Sequence, residues 1–308
     1  MLCPTVADLP PASSGKTGWP WTESTRASHG AGTLLSGRPW PRISIVTPSL
    51  NHGAFIEEAL RSVLLQAYPN LELIVVDGRS TDGSIKTIGK YGAWLSHSIC
   101  ESDGGPASAL NRGFRLATGE ILGFLNADDF LLPGCLTTIA REFLIHPAAD
   151  VVSGHGCFAK VSGELGTPIF SDRWNLTRFA NDAGVLVQPA TFFRRRTFEQ
   201  VGGLKERTKA SWDIELWADM ALAGAVFHTV DEFLAAFRLH AASISGRHFR
   251  KHRFRDARAV REKMRGRCET PRDRLWSLVH RARKFSGHPL RTVSQRWFVY
   301  SALSRWSL

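Results

Sequence analysis

The feature that most constrains this chain is an alternation of apolar runs with helical stretches, which begins at Ile43 and repeats four times by residue 126. The runs ISIVTP and LELIVVDG are continuous rather than alternating, the pattern of strands covered on both faces. Between them Phe55, Ala59, Val63 and Leu64 fall at helical spacing. A second helix is expected from Asp82, a short strand over residues 98–101 and a third helix over 106–118, followed by the run EILGFLN. Such an order predicts a parallel sheet with helices on both faces, and ligands of such sheets bind beyond the carboxyl ends of the strands. Three strands end there in polar or turn-forming residues: Pro48, Ser49 and Asn51; Asp77, Gly78 and Ser80; Asn126, Asp128 and Asp129.

The second half is less regular. VVSGHGCFAKV reads as a strand, GVLVQPATFFRR as a loop into a strand, and FEQVGGL as a short helix stopped by glycine. SWDIELWADMALAG puts Trp212, Leu216, Trp217 and Met220 on a helix ended by Gly224. Residues 1–41 are rich in Pro, Ser, Gly and Thr with little periodicity, which predicts a flexible leader without a core, with Trp19, Trp21 and Trp40 as isolated contacts. Residues 42–245 then form the main domain, and residues 246–308 a basic helical extension. Of the net charge of +11, residues 245–308 hold 18 Lys and Arg against 4 Asp and Glu, a surplus of +14 that leaves about −3 for everything before them.

Several function classes are disfavoured. The five cysteines are scattered and form no C-x-x-C pair, so neither a disulfide framework nor a thiolate zinc site is indicated, and a reducing compartment fits. No run approaches the roughly 18–20 apolar residues that span a bilayer, and the first residues lack a secretory pattern; a cytoplasmic protein is expected. Neither G-x-G-x-x-G after the first strand nor G-x-x-x-x-G-K-[ST] is present.

The strand tips carry the chemistry. Asp128 and Asp129 are adjacent charges at the mouth of a buried strand, where they repel each other and resist desolvation; they are either solvated loop acids or the seat of a hard divalent ion, which needs only one or two carboxylates besides substrate phosphates. Asp77 either closes a turn or accepts hydrogen bonds from a base or ribose. Asp82 reads as a helix cap. Gly104 and Gly105 precede Pro106 at a helix start, an ordinary turn or a place where amides approach a phosphate. Asp213 and Glu215 lie near the positive end of a helix, as caps or with one of them poised as a base. His240 is either a metal ligand or a lone polar residue near a strand end.

Taken in order, the segments ISIVTPSLNHGAFIEEALRSVLLQAYPNLELIVVDGRSTDGS, SDGGPASALNRGFRLATGEILGFLNADD, QPATFFRRRTFEQVGGL, WDIELWADMALAG and FRLHAAS resemble a family 2 glycosyltransferase of the inverting GT-A type, over roughly residues 42–245. The resemblance implies an α/β nucleotide-diphospho-sugar transferase fold, a mostly parallel sheet flanked by helices, here with the basic helical extension. It implies Pro48, Leu50 and Asp77 around the nucleotide base and ribose, and Asp103, Gly104 and Gly105 near the diphosphate. Asp128 matches the last acid of the family's D-x-D element, which holds a divalent Mg²⁺ or Mn²⁺, with Asp129 in support; His240 matches a histidine of the metal or diphosphate shell. Asp213 matches the catalytic base, aligned on the ELW that follows it. Two positions depart from the pattern. Asn126 replaces the first D-x-D acid and can hydrogen-bond a ribose but carries no charge, and Trp212 replaces one acid of the usual pair before the base, which keeps Glu215 in contention.

The implied activity is inverting transfer of a sugar from a nucleoside-diphosphate sugar to a saccharide or lipid-linked hydroxyl acceptor, in cell-surface polysaccharide or glycolipid biosynthesis. The alternatives are a nucleotide-sugar-binding module without turnover, against which Asp128, Asp213 and His240 argue, and a nucleic-acid-binding protein. The run RHFRKHRFRDARAVREKMRGR suits phosphates, but with Trp297, Phe298, Tyr300 and Trp306 it also suits an anionic membrane surface. The resemblance favours the membrane, at its inner face, over nucleic acid as the partner.

Overall fold

The computed structural model describes residues 3–12, 15–25, 39–208, 210–241, 243 and 253–287. Four strands, β1 (Ile43–Ser49), β2 (Leu71–Asp77), β3 (His97–Cys100) and β4 (Ile121–Phe124), pair in parallel in the order β3-β2-β1-β4. β1 and β2 are buried along their whole length, and the polar Ser44 and Glu72 within them are hydrogen-bonded to each other. The helices between them are α1 (Ile56–Leu64), α2 (Ser84–Lys90) and α3 (Pro106–Leu116). α2 begins two residues after Asp82 because Gly83 adopts φ 96°; the Asp82 carboxylate still accepts from the Ser84 amide at 3.1 Å. α3 lies so close to the sheet that a Cβ on Gly113 would sit 2.4 Å from Val46 Cγ1.

The expected parallel sheet holds for this half and changes character in the other. β5 (Phe130–Leu131) is followed by α4 (Cys135–Ile145), β6 (Val151–Ala159), β7 (Leu165–Ile169), α5 (Leu176–Ala180), β8 (Thr191–Arg194), α6 (Arg195–Gln200), α7 (Trp212–Leu222) and β9 (Phe227–Arg238). β8 runs antiparallel to β4 and to β6, β9 runs parallel to β6, and β5 and β7 pair antiparallel with β9 and β6. The result is one mixed nine-stranded sheet. The antiparallel strands lack the regular helix-length spacing that made the first half readable.

Beyond the sheet lie two further helices, α8 (Arg253–Arg265) and α9 (Pro271–Gly287). Val260 and Met264 of α8 join Phe179, Ala180 and Ala218 in a small core of their own. Residues 288–308, with Trp297, Phe298, Tyr300 and Trp306, lie outside the described residues. Among the described residues no helix is long and apolar enough to cross a membrane.

The expectation of a leader without a core is corrected for its described parts. Leu9, Trp21 and Trp40 are buried. The buried guanidinium of Arg61 on α1 donates to the carbonyls of Pro10 (2.8 Å), Pro20 (3.0 Å) and Trp21 (2.9 Å), and Trp19 Nε1 donates to Leu131 O at 2.8 Å. Irregular chain has no periodicity to read, yet a planar five-donor side chain can satisfy several of its carbonyls at once.

Candidate functional site

The carboxyl ends of β1, β2 and β4 meet at one edge of the sheet. Ser49 and Asp77 are register partners across β1 and β2. The buried Asp77 carboxylate accepts from the Ser80 amide at 2.7 Å and the Ser80 hydroxyl at 2.6 Å, and that hydroxyl in turn accepts from the Asn51 amide at 2.7 Å. Asn51 Oδ1 accepts from the Thr81 amide (2.8 Å), and Asp82 Oδ2 from the Gly53 amide (2.7 Å). Asn51 and Arg79 both hold positive φ, 57° and 68°, a conformation that non-glycine residues adopt at a cost and that clusters at functional sites. Ser49 Oγ is buried with no hydrogen-bond partner among the described residues.

Gly78 joins the next group. A Cβ there would lie 3.1 Å from Asp103 Oδ2 and 3.4 Å from Leu50 Cδ1, so Leu50, Gly78 and Asp103 converge. Asp103 Oδ1 accepts from the Gly105 amide at 2.9 Å, and Gly105, at φ 116°, precedes α3 with Pro106 in its first turn. Pro48 is the buried penultimate residue of β1, and half-exposed Leu50 follows directly on that strand.

The acidic exit of β4 is built by residues distant in sequence. Asp128 Oδ2 lies 3.0 Å from His240 Nε2, both side chains nearly buried, and the Phe55 ring packs against His240 at 4.7 Å. Asp129 turns the other way and accepts from the Arg238 amide at 2.8 Å. Burial, and then the charge of Asp128 beside it, hold the Asp129 carboxyl well above the usual carboxylate range. Asn126 donates to Gln188 Oε1 at 2.9 Å, and Gln188 Nε2 to Phe124 O at 2.9 Å, so a turn preceding β8 fixes the amide.

Three residues of this edge escaped the sequence reading. Arg238 is fully buried; it donates to Asp128 O (2.6 Å) and Lys160 O (3.1 Å), pairs with Glu58 Oε2 (2.8 Å), and lies over the rings of Phe55 and Phe130. Its signal was a lone charge within FLAAFRLH. Gln188 is the second. His52, inside the quoted SLNHGAF, is the third: burial holds its imidazole below the ordinary value, Asp128 draws it back up and His240 pushes it down, which puts it in the same electrostatic neighbourhood.

The helix α7 is anchored to this edge by aromatic packing. Trp212 lies 5.3 Å from the Phe124 ring, and Trp217 stacks on the same ring at 6.2 Å. Asp213, half-buried, is therefore carried in the first turn beside the end of β4. Glu215 is committed elsewhere. It is buried and accepts from Arg207 (2.8 Å), Lys263 (3.0 Å) and the Thr208 hydroxyl; these hydrogen bonds outweigh its burial and keep its carboxyl below the usual range.

The mixed sheet with its flanking helices is the fold of the GT-A transferases. The fold matches that of Staphylococcus aureus TarS (residues 1–349) in complex with UDP-GlcNAc, at a TM-score of 0.60 and 19% identity over 80% of this chain and 73% of that one. It also matches the mannosyltransferase PcManGT from Pyrobaculum calidifontis in complex with GDP-Man and Mn²⁺, at a TM-score of 0.58 and 21% identity over 82% and 79% of the two chains. Residues 44–202, a little over half of the chain, match the glycosyl transferase family 2 profile, and the chain belongs to that family. Relatives include the O-antigen biosynthesis protein RfbC of Myxococcus xanthus, 30% identical over 79% of this chain but only 19% of that protein's length. Another is the PGL/p-HBAD biosynthesis glycosyltransferase of Mycobacterium bovis (strain BCG / Pasteur 1173P2), 31% identical over 62% of this chain and 75% of that protein.

Proposed function

We propose that this glycosyltransferase moves a sugar from a nucleoside-diphosphate sugar to a hydroxyl of a saccharide or lipid-linked acceptor, with inversion, in the assembly of a cell-surface polysaccharide or glycolipid. The observation that carries the reading is the contact between Asp128 and His240 at the exit of β4, beside the Asp77 tip. Their 3.0 Å separation is also that of adjacent vertices of an octahedral shell with bonds of about 2.1 Å, so the carboxylate and imidazole fit a divalent cation such as Mn²⁺ or Mg²⁺. Bound there, the cation would supply Lewis-acid neutralisation of the charge on a departing diphosphate.

The chain's own groups do the rest. Pro48, Leu50 and Asp77 receive the base and ribose, and the unpartnered Ser49 hydroxyl offers a further polar contact. Asn126, held by Gln188, hydrogen-bonds the ribose, and Asp103, Gly104 and Gly105 face the diphosphate at the start of α3, where amides and helix dipole favour anions. Asp213 takes the proton of the acceptor hydroxyl, an effect worth about 10²–10⁴ in rate; the engagement of Glu215 supports that choice. Displacement from the face opposite the diphosphate needs no covalent sugar intermediate, so a second carboxylate astride the sugar is not required.

The protein is proposed to work at the inner face of a membrane. α9 exposes Leu275, Trp276 and Leu278, each more than half exposed, beside exposed Arg272 and Arg274, a combination suited to an anionic surface. Co-sedimentation with anionic liposomes checks this, and loss of binding on replacing Leu275, Trp276 and Leu278 by serine is expected.

The central test is donor hydrolysis and transfer across the common nucleotide sugars, with and without Mn²⁺, in wild type, Asp128→Asn and Asp213→Asn. Asp213→Asn should lose transfer and keep nucleotide binding in calorimetry; Asp128→Asn should lose the metal-assisted part of both. Full transfer by Asp213→Asn removes the base assignment, and failure of wild type to take up any nucleotide sugar removes the function.

A further inference from the structure

A second cluster lies at the opposite end of β9. Glu142 stands one turn before the end of α4, and His146 caps that helix through its amide, which donates to Glu142 O at 2.9 Å. The i, i+4 spacing puts both side chains on one face. His228, the second residue of β9, arrives from across the sheet. Its Nε2 lies 3.1 Å from Glu142 Oε2, and His146 Nε2 lies 3.6 Å from the same oxygen. The three donor atoms lie within 4.8 Å of one another, and the two imidazole rings face each other at 3.9 Å with a 32° tilt.

Two imidazole nitrogens and a carboxylate oxygen are thus gathered in one small volume. A tetrahedral zinc ion, with bonds of about 2.0–2.2 Å to nitrogen and oxygen, sets its donors roughly 3.4 Å apart. The observed 3.1 and 3.6 Å bracket that spacing. Two imidazoles and a carboxylate are a donor set of borderline softness, suited to zinc-like cations, with a fourth position open to water. The other Glu142 oxygen accepts from Arg141 Nε at 3.4 Å, which orients the carboxylate. The nearby Arg194 guanidinium is occupied by the carbonyls of Ala149, Phe143 and Pro147. Glu142 is buried and the two histidines are partly exposed, so an ion can reach the site.

We propose that Glu142, His146 and His228 form a second metal site, taking one zinc-class divalent cation and fastening the end of α4 to the start of β9. It is separate from the Asp128 and His240 edge. Ten residue steps along β9 separate His228 from Arg238, about 33 Å at 3.3 Å per residue.

The test uses tag-free full-length protein stripped with chelator and titrated with Co²⁺, whose visible absorption reports tetrahedral nitrogen and oxygen ligation, and with Zn²⁺ in thermal melts. Wild type and Asp128→Asn should both take up one equivalent of Co²⁺ with visible bands, and Zn²⁺ should raise the melting temperature of both. His146→Ala, at a side chain nearly half exposed, should weaken Co²⁺ binding at least tenfold, and His146→Ala/His228→Ala should abolish the bands and the zinc-dependent shift. Absence of visible bands in wild type overturns the proposal. So does uptake that is unchanged in His146→Ala.

Discussion

Replacing Arg238 by methionine tests how the acidic edge is held. The side chain is 0% exposed and its partner Glu58 5% exposed, so the substitution strands a carboxylate away from water. Breaking a buried pair from one side costs about 3–5 kcal/mol, and the hydrogen bonds to Asp128 O and Lys160 O go with it. Stability of domains is about 5–15 kcal/mol, so the variant should fold, with a melting temperature lower by on the order of 10 °C. Arg238→Met/Glu58→Gln removes both charges and should recover about half of the loss. A pH dependence follows. Burial holds the Glu58 carboxyl above its usual range and Arg238 pulls it down; without the arginine it rises further. A raised folded-state value means the folded chain binds the proton more tightly, so stability is lost as pH rises through that range, and Arg238→Met should be less impaired at pH 5 than at pH 7. Urea unfolding followed by tryptophan fluorescence measures all of this. A single variant within 1 kcal/mol of wild type, or a double variant no better than the single, would refute the reasoning.

Two further outcomes are expected. Glu215→Gln loses charged hydrogen bonds from Lys263 and Arg207 and should cost about 2 kcal/mol. Because the Glu215 carboxyl is held below its usual range, the stability it contributes is present above that range and lost as pH falls through it; urea titrations at pH 3–7 should show a shallower acid limb in the variant. Gly113→Ala drives a methyl to 2.4 Å from Val46 Cγ1 and should cost about 1–3 kcal/mol by overpacking, read as a lower urea midpoint with unchanged slope.

The first half of the fold was legible because buried parallel strands write themselves as unbroken apolar runs and their helices as 3.6-residue stripes. β1, β2 and β4 end at the polar tips read from sequence. The second half was opaque for a physical reason: β6, β8 and β9 pair in mixed directions with short elements of uneven length between them, and β9 mixes charged and apolar residues in FHTVDEFLAAFR. The site divides in the same way. Asp77 and Asp128 stand out locally, whereas the Arg238 pairing spans 180 residues and the Asn126 amide is fixed from 62 residues away, separations that no local pattern records. Glu58 and Arg61 of α1 drew no notice in sequence, although the one pairs with Arg238 and the other donates to the carbonyls of Pro10, Pro20 and Trp21.

The lacing of residues 51–53 to residues 80–84 has a thermodynamic consequence. Those tips are tied to each other by side chains of the folded protein alone, so a molecule that settles between them meets a mould already set. The entropy of stiffening mobile side chains, about 0.5–1.5 kcal/mol apiece in a loose rim, is spent during folding instead of on docking. Cutting one of these ties, for instance with Asn51→Gly, is expected to weaken capture of the proposed nucleotide-sugar donor with little change in the melting curve, as calorimetry and thermal melts would read.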